Sequence, residues 1–328
     1  MENLLEVRNL STTFKTERGI AHAVRFVNFS IKPGETMGLV GESGSGKSVT
    51  AKSIMRLIDP VRGQVSGEII LGGRNVLNLK EKEMEHIRGN VVSMIFQDPM
   101  TSLNPLIPVG EQIAEMFRFH KQMSKQAARQ ATLELLRHIA IPSPEKRYSQ
   151  YPHEFSGGML QRLMIAIALS CKPQLLIADE PTTALDVTIQ AQILRLMKNL
   201  QKEFGMAILM ITHDLGVVAE VCDKISVMYA GEIVESSDVE TIFASPSHPY
   251  TLGLMGSIPK LGANEKKLRS IEGAPPDLSL AIKGCAFAER CPFRTATCLE
   301  KKPQLQEVKA GHFVSCHHWN ELEKEASA

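Results

Sequence analysis

Short apolar runs alternate with amphipathic stretches along most of the chain, and this alternation predicts an α/β fold with buried strands. The predicted buried strands are residues 37–40, 91–96, 175–180 and 206–211. Helical spacing of apolar residues predicts helices at 49–57, 80–88, 163–171 and 187–203. A final predicted strand pair, at 225–229 and 232–234, closes this part of the fold.

The beginning of the chain has a different pattern. Alternating positions at residues 4–10 and 21–31 predict two strands, with a turn near residues 16–19 between them. We therefore expect an antiparallel β subdomain at the N-terminus.

Residues 99–150 show a third pattern of apolar and polar positions. Pro99, Pro105 and Pro108 interrupt the chain, and helical periodicity follows at 110–119 and 124–138. This pattern predicts an inserted helical subdomain at about residues 99–170. Beyond about residue 245 the α/β pattern ends, so we predict one domain at 1–245 and a C-terminal extension at 246–328.

Composition narrows the classes of function. The 328 residues are 43% hydrophobic and carry a formal net charge of +1, which gives no bulk attraction for nucleic acid. The longest apolar run, residues 163–171, is far shorter than the roughly 18 residues that a membrane span needs. Glu2 and Glu6 interrupt any secretory signal. We expect a soluble, cytosolic chain.

Residues 41–48 spell G-x-x-x-x-G-K-S, the P-loop pattern. Glycines let such a loop turn its N–H groups toward one spot at a helix N-terminus, which favours an anion. A glycine-rich turn that binds nothing is the alternative, and the predicted strand before it and helix after it disfavour that reading. The predicted residues that bind nucleotide phosphates here are Gly41, Ser43, Gly44, Ser45, Gly46, Lys47, Ser48 and Val49.

Two carboxylates end the apolar run at 175–180. Asp179 is predicted to bind Mg²⁺ together with Ser48, and Glu180 to act as general base on water. An acidic strand-to-loop junction is the alternative. Gln97 and His213 also follow predicted strands, and each is either a nucleotide-site residue or an ordinary polar residue at a strand end.

Ser156, Gly157 and Gly158 precede an apolar helix and form a second possible phosphate site. Since one chain seldom needs two such sites for one nucleotide, this one is predicted to face the nucleotide of another subunit. The alternative is a serine N-cap with flexible glycines. Phe14 either stacks on an adenine ring or packs in the core, and its spacing from the P-loop does not decide between these two roles.

The six cysteines fall into two groups. Cys171 and Cys222 lie in apolar stretches and are predicted to be core residues. The others crowd into the C-terminal end of the chain, at Cys285, Cys291, Cys298 and Cys316. Four thiolates suit a [4Fe–4S] cluster or a structural Zn²⁺. The loose spacing favours iron–sulfur, while nearby histidines leave a zinc site open, and free thiols or a disulfide are the remaining alternative.

These motifs stand in an order that resembles the ATP-binding subunits of ABC transporters. They are the P-loop at 41–48, the Q-loop Gln97, the signature at 156–161, the Walker B strand at 175–180, the D-loop at 184–186 and the switch His213. Residues 96–105, 151–158 and 248–251 are similar to the oligopeptide/dipeptide and nickel importers, whose "D"-type ATPase subunits carry a cysteine-bearing C-terminal extension.

The resemblance implies an ATP-hydrolysing subunit, active with Mg²⁺, that powers import of di- or oligopeptides. It also implies that Phe14 stacks on adenine, that Gln97 assists Mg²⁺, that His213 steadies the γ-phosphate and that Asp186 belongs to the nucleotide site. A nickel or other small-solute importer and a soluble non-transport ATPase are the alternatives.

The resemblance further implies an assembly. The partners would be two transmembrane permease subunits, a second ABC ATPase in a heterodimer and an extracytoplasmic solute-binding protein, with no nucleic acid. The chain would lie at the cytoplasmic face of the cell membrane as a peripheral subunit. A permease would contact residues 97–150.

Overall fold

The computed structural model describes residues 2–183, 185–257 and 271–321. Within them the strands are β1 Leu5–Thr16, β2 Gly19–Ile31, β3 Thr36–Val40, β4 Gly63–Leu71, β5 Arg74–Asn75, β6 Val92–Ile95, β7 Leu175–Asp179, β8 Ala207–Thr212, β9 Lys224–Tyr229, β10 Glu232–Asp238, β11 Gln306–Lys309 and β12 His312–Val314. The α-helices are α1 Lys47–Ile54, α2 Glu81–Ile87, α3 Pro99–Ser102, α4 Val109–Lys121, α5 Lys125–His138, α6 Pro144–Arg147, α7 Gly157–Leu169, α8 Val187–Phe204, α9 Leu215–Val221, α10 Val239–Ala244, α11 Pro249–Gly256 and α12 Ala296–Glu300. Short 3₁₀ turns occupy Val76–Asn78, Pro152–Glu154 and Ala288–Arg290.

The chain divides into two compact units. Unit 1 contains the described parts of 1–4, 32–35 and 78–209, and unit 2 contains those of 5–31, 36–77 and 210–328. The units follow spatial contacts, so they cut the chain differently from the predicted boundary at residue 245, which stays a prediction.

Unit 1 combines a parallel strand pair with helices. In β6 and β7, Val92 lies opposite Leu175, and every residue of both strands is buried, as the apolar runs predict. Helix α4 packs against α5 and α7. Its buried face includes Val109, Ile113 and Phe117, spaced by four residues, which is the helical periodicity in the sequence.

Unit 2 contains an antiparallel sheet in the order β2-β1-β4-β5. Leu5 lies opposite both Ile31 and Leu71, so β1 lies between β2 and β4. A second group of strands in this unit has the order β11-β12-β10-β9-β3. There β3 runs parallel to β9, and the other neighbours are antiparallel. The predicted α/β fold is confirmed, and the structure shows that its strand pairing is mixed.

The beginning of α7 differs from the sequence prediction. The helix starts at Gly157, six residues before the predicted start at 163. Glycine is tolerated in the first turn of a helix, and the buried apolar face of α7 already begins at Leu160. Ser156 occupies the N-cap position in an extended conformation, and its side chain makes no capping hydrogen bond. The two glycines therefore belong to the first helical turn.

A buried carboxylate joins three segments of unit 2. Glu235 of β10 is fully buried and accepts hydrogen bonds from the backbone N–H groups of Ser247 (2.6 Å) and His248 (3.0 Å). It also accepts one from Nε2 of His312 in β12 (2.8 Å). A buried charge is tolerated only when it is paired and hydrogen-bonded in this way. Glu235 therefore ties the C-terminal strand to the chain that enters α11.

We predict that Glu235→Gln lowers the free energy of unfolding by about 1–3 kcal/mol, because the amide turns an N–H group toward buried donors. Chemical denaturation measures this change. The matched control is Glu240→Gln, an exposed glutamate of α10, which should change stability by less than about 0.5 kcal/mol. Equal stability of the two variants would contradict the role of Glu235.

Candidate functional site

The P-loop connects the end of β3 to the start of α1. Lys47, the first residue of the helix, is only 4% exposed. Its Nζ donates hydrogen bonds to the backbone carbonyls of Gly41 (2.7 Å) and Glu42 (2.9 Å). The loop therefore wraps around its own lysine, which places a positive charge inside the ring of backbone atoms that would surround a phosphate.

Two glycines permit this path. Gly41 has a φ of 154°, and a Cβ there would lie 2.1 Å from the backbone oxygen of Met228. Gly46 has a φ of 106°, and a Cβ there would lie 2.4 Å from the oxygen of Ala23. Any side chain at either position would collide with backbone, so the motif needs glycine for space as well as for conformation.

The helix after the loop favours an anion. Gly46 is the N-cap of α1 and carries no capping side chain, and the first turn contains no acidic residue. The positive end of the helix dipole is therefore not neutralised by a neighbouring carboxylate. Ser43, Gly44, Ser45, Ser48 and Val49 lie in this loop and first turn, where the sequence predicts them to bind nucleotide.

The carboxylates of unit 1 lie at the end of β7. Asp179 is buried and Glu180 follows it with a φ of 48°, in the left-handed region that costs energy for a non-glycine residue. Glu180 Oε2 accepts hydrogen bonds from Gln97 Nε2 (3.0 Å) and Thr183 Oγ1 (3.0 Å). The structure brings Gln97 and Glu180 together, and the two donors fix the direction of the carboxylate.

Thr183 is a residue that the sequence analysis missed. Its position three residues after Glu180 lets its hydroxyl reach back across the turn, where its backbone N–H also donates to the Glu180 carbonyl (3.2 Å). The adjacent threonines at 182 and 183, in a turn directly after a carboxylate, are the signal that was available.

The remaining predicted residues lie in different settings. Ser156 and Gly157 are exposed at the start of α7, while a Cβ on Gly158 would lie 2.9 Å from the side chain of Ile189. Asp186 is the N-cap of α8, where its carboxylate accepts from the N–H of Ile189 (2.9 Å). Ala184 of the predicted D-loop lies outside the described residues.

In unit 2, Phe14 is half-buried on β1, opposite Ala21 and Gly63, so both readings of this ring stay open. His213 is exposed directly after β8. Asp214, the next residue, caps α9 by accepting from the N–H of Gly216 (2.8 Å).

The four C-terminal cysteines line one cavity, together with His317 and His318. The donor set fits a four-thiolate metal site. As the side chains stand, however, no group of three or more His, Cys, Asp or Glu residues in the described ranges is arranged to bind a metal ion. Burial raises the pKa of the Cys285 thiol to about 11 and that of Cys316 to about 12. Metal binding there would have to displace protons.

None of the helices in the described part of the chain is both long and apolar enough to cross a membrane.

A P-loop between a strand and a helix, and a buried strand that ends at Asp179 with Glu180 directly after it, are typical of P-loop NTPases. A family profile described as "ABC transporter" matches residues 24–183. A second, described as "Oligopeptide/dipeptide transporter, C-terminal region", matches residues 234–298.

Similar proteins and structures agree with these matches. The chain is 53% identical over 321 residues to a probable peptide ABC transporter ATP-binding protein of Sinorhizobium fredii, covering 97% of this chain and 96% of that protein. It is 54% identical to the oligopeptide transport ATP-binding protein OppD of Bacillus subtilis, covering 95% and 87%. A dimeric ATP-binding cassette, MJ0796, solved with ADP and Pi, has a TM-score of 0.65 at 30% identity, covering 72% and 98%.

The chain therefore belongs to the ABC transporter ATP-binding proteins, in the branch that carries the oligopeptide/dipeptide C-terminal region.

We predict that Lys47→Ala weakens ATP binding by at least about tenfold, because a charge-assisted contact to phosphate is lost. Titration of the purified chain with a fluorescent ATP analogue measures the Kd. Lys52→Ala, at an exposed lysine of the same helix, is the control and should bind as the wild type does. Unchanged affinity in Lys47→Ala would remove this lysine from the phosphate site.

Proposed function

We propose that the chain is the ATP-hydrolysing subunit of a multisubunit importer for di- or oligopeptides. The observation that carries this proposal is the combination of a P-loop that encloses its own lysine with the C-terminal region of oligopeptide/dipeptide transporters. Relatives that match nearly the whole chain are themselves described as peptide transport proteins, which supports the same solute class.

The catalytic roles follow from the chemistry of each side chain. Lys47 and the amides of the P-loop hold the phosphates, while Ser48, Asp179 and Gln97 are the predicted ligands of Mg²⁺, which neutralises phosphate charge when bound. Glu180 polarises the attacking water. Its orientation is supported by the hydrogen bonds from Gln97 and Thr183.

Further residues complete the proposed nucleotide chemistry. His213 steadies the γ-phosphate, and Phe14 stacks on the adenine. Ser156, Gly157 and Gly158, at the start of α7, face the nucleotide of a second ATPase subunit. The exposure of Ser156 and Gly157 is consistent with that role. Asp186 is the N-cap of α8 and therefore helps to position that helix. Its predicted role in the nucleotide site is a second role of the same residue.

The proposed assembly contains two permeases, a second ATPase and an extracytoplasmic solute-binding protein. This chain would lie peripherally at the cytoplasmic face of the membrane. Residues 97–150, which contain α3, α4, α5 and α6, are the proposed permease contact. They overlap the proposed inserted helical subdomain at about residues 99–170. Exposed apolar side chains at Met100 and Leu106 support a partner on this region.

Uptake of a labelled dipeptide tests the function, in cells that lack this chain and are complemented with it. Restored uptake of peptide is expected. Restored uptake of nickel alone would move the assignment to a nickel importer, and no transport phenotype together with soluble partners would indicate a non-transport ATPase.

We predict that Glu180→Gln keeps ATP binding but lowers hydrolysis by at least about 100-fold, since the amide cannot accept the proton of water. ATPase activity of the assembled complex and nucleotide affinity are measured on the same preparation. Glu203→Gln, at an exposed glutamate of α8, is the control and should hydrolyse ATP normally. Wild-type turnover in Glu180→Gln would exclude it as the general base.

We also propose that the C-terminal extension is a cysteine-rich module that holds a [4Fe–4S] cluster, with Zn²⁺ as the alternative. The four thiols that line one cavity support this, because together they supply a complete ligand set for such a cluster. When bound, the cluster would cross-link a short segment that has little apolar core of its own.

Chain purified without oxygen should contain about four iron atoms and absorb as an iron–sulfur protein. Cys298→Ser should lose most of this iron, whereas Cys171→Ser, at a buried cysteine of unit 1, should retain it. Elemental analysis of the three proteins measures the difference. Stoichiometric zinc in place of iron would overturn the iron assignment.

A further inference from the structure

An arginine from the cysteine-bearing segment reaches the P-loop. Arg290 donates from Nη1 to Glu42 Oε2 (2.6 Å) and from Nη2 to Glu42 Oε1 (2.9 Å). The arginine side chain is 5% exposed and the glutamate side chain 28%. This bidentate pairing is the strongest hydrogen-bond geometry between a guanidinium and a carboxylate. It joins residues that are 248 positions apart in the sequence.

The guanidinium is held in place independently of the glutamate. Arg290 Nε donates to the carbonyl of Glu272 (2.9 Å), and Nη2 also donates to that of Ile271 (3.2 Å). The group lies 5.7 Å from the ring centroid of Tyr229, whose hydroxyl accepts from Nη1 (3.3 Å). Arg290 is therefore a fixed anchor, and Glu42 is the partner that it positions.

Glu42 in turn contacts the phosphate-binding lysine. Its backbone carbonyl accepts a hydrogen bond from Lys47 Nζ (2.9 Å). Its backbone N–H donates to the hydroxyl of Tyr250 (2.8 Å), a fully buried residue of α11. A shift of Glu42 would thus move an acceptor of Lys47 directly, with no intervening residue.

The same short segment contains two of the cysteines that line the cavity. Arg290 ends the 3₁₀ turn Ala288–Arg290, which lies between Cys285 and Cys291. The N–H of Ala288 donates to the carbonyl of Cys285 (3.1 Å), and that of Cys291 donates to the carbonyl of Ala288 (3.2 Å). One short, hydrogen-bonded backbone segment thus carries both thiols and the arginine between them.

We propose that Arg290 is a positioning residue for ATP binding, which holds Glu42 of the P-loop and makes nucleotide affinity depend on the cysteine-lined segment. The proposal rests on the P-loop as the ATP site but not on the transported solute. Because Arg290 acts through the Glu42 carboxylate, its loss should weaken binding and leave the chemical step unchanged.

The first test is Arg290→Met, which keeps much of the side-chain volume and removes the guanidinium. We expect the Kd for a fluorescent ATP analogue and the KM for ATP to rise about three- to tenfold, as one partly exposed charged contact would give. We expect kcat of the assembled complex to change by less than about twofold. Arg290→Lys should recover only part of the affinity, because lysine lacks the planar fork.

Arg294→Met is the matched control. Arg294 lies in the same segment beyond Cys291, is half exposed and pairs only loosely with Glu289 (3.3 Å). It should bind ATP as the wild type does. Equal losses of affinity in Arg290→Met and Arg294→Met would indicate a general disturbance of the segment and overturn the proposal.

Glu42→Gln tests the same contact from the other side, and it remains informative if Arg290→Met does not fold. It should raise the Kd by a similar factor, and the double variant should bind no more weakly than either single variant. Wild-type affinity in Glu42→Gln, or losses that simply add in the double variant, would overturn the proposal.

The link to the thiols has its own readout. Cys291→Ser should raise the Kd for ATP in the wild-type background but cause no further rise in the Arg290→Met background. A full additional loss there would show that the cysteines do not act through Arg290 and would overturn that part.

Lys47→Ala separates this inference from the ATP site itself. If Lys47→Ala weakens binding and Arg290→Met does not, the inference alone fails, whereas normal binding in both would reject the ATP site.

Discussion

Burying the ammonium group of Lys47 has a large desolvation cost, and the shape of the P-loop follows from the need to offset it. The carbonyls of Gly41 and Glu42 accept from Nζ, so the loop must curl back over the helix that it precedes. That curl brings Gly41 and Gly46 against the backbone at Met228 and Ala23. Backbone atoms of β9 and β2 therefore limit the path of the P-loop at these two glycines.

The C-terminal part of the chain supports this loop from outside. Tyr250 accepts the N–H of Glu42, and Arg290 holds its carboxylate. Further along, Glu235 joins β12 to the chain entering α11, which is the helix that contains Tyr250. Within unit 2 the oligopeptide/dipeptide C-terminal region thus contacts the P-loop directly, through Tyr250 and Arg290.

Local patterns predicted the features whose causes are local. The P-loop, the buried runs of β3 and β7 and the periodicity of α4 each follow from neighbouring residues, and all were expected from the sequence. The contact between Glu42 and Arg290 was not, because an ion pair over 248 positions leaves no periodic signature. The true start of α7 was missed for a different reason. Glycine has a low helix propensity and so predicted a later start, but it is tolerated in the first turn of a helix.

The most direct test of the central claim is purification of the tagged chain from native membranes without oxygen, followed by mass spectrometry of the proteins bound to it. An ATP-binding subunit of a peptide importer should bring down two permeases and a second ATPase, and the isolated complex should hydrolyse ATP. Recovery of the chain alone, or with ribosomal or nucleic-acid partners, would contradict the importer and leave only the ATP chemistry of the P-loop.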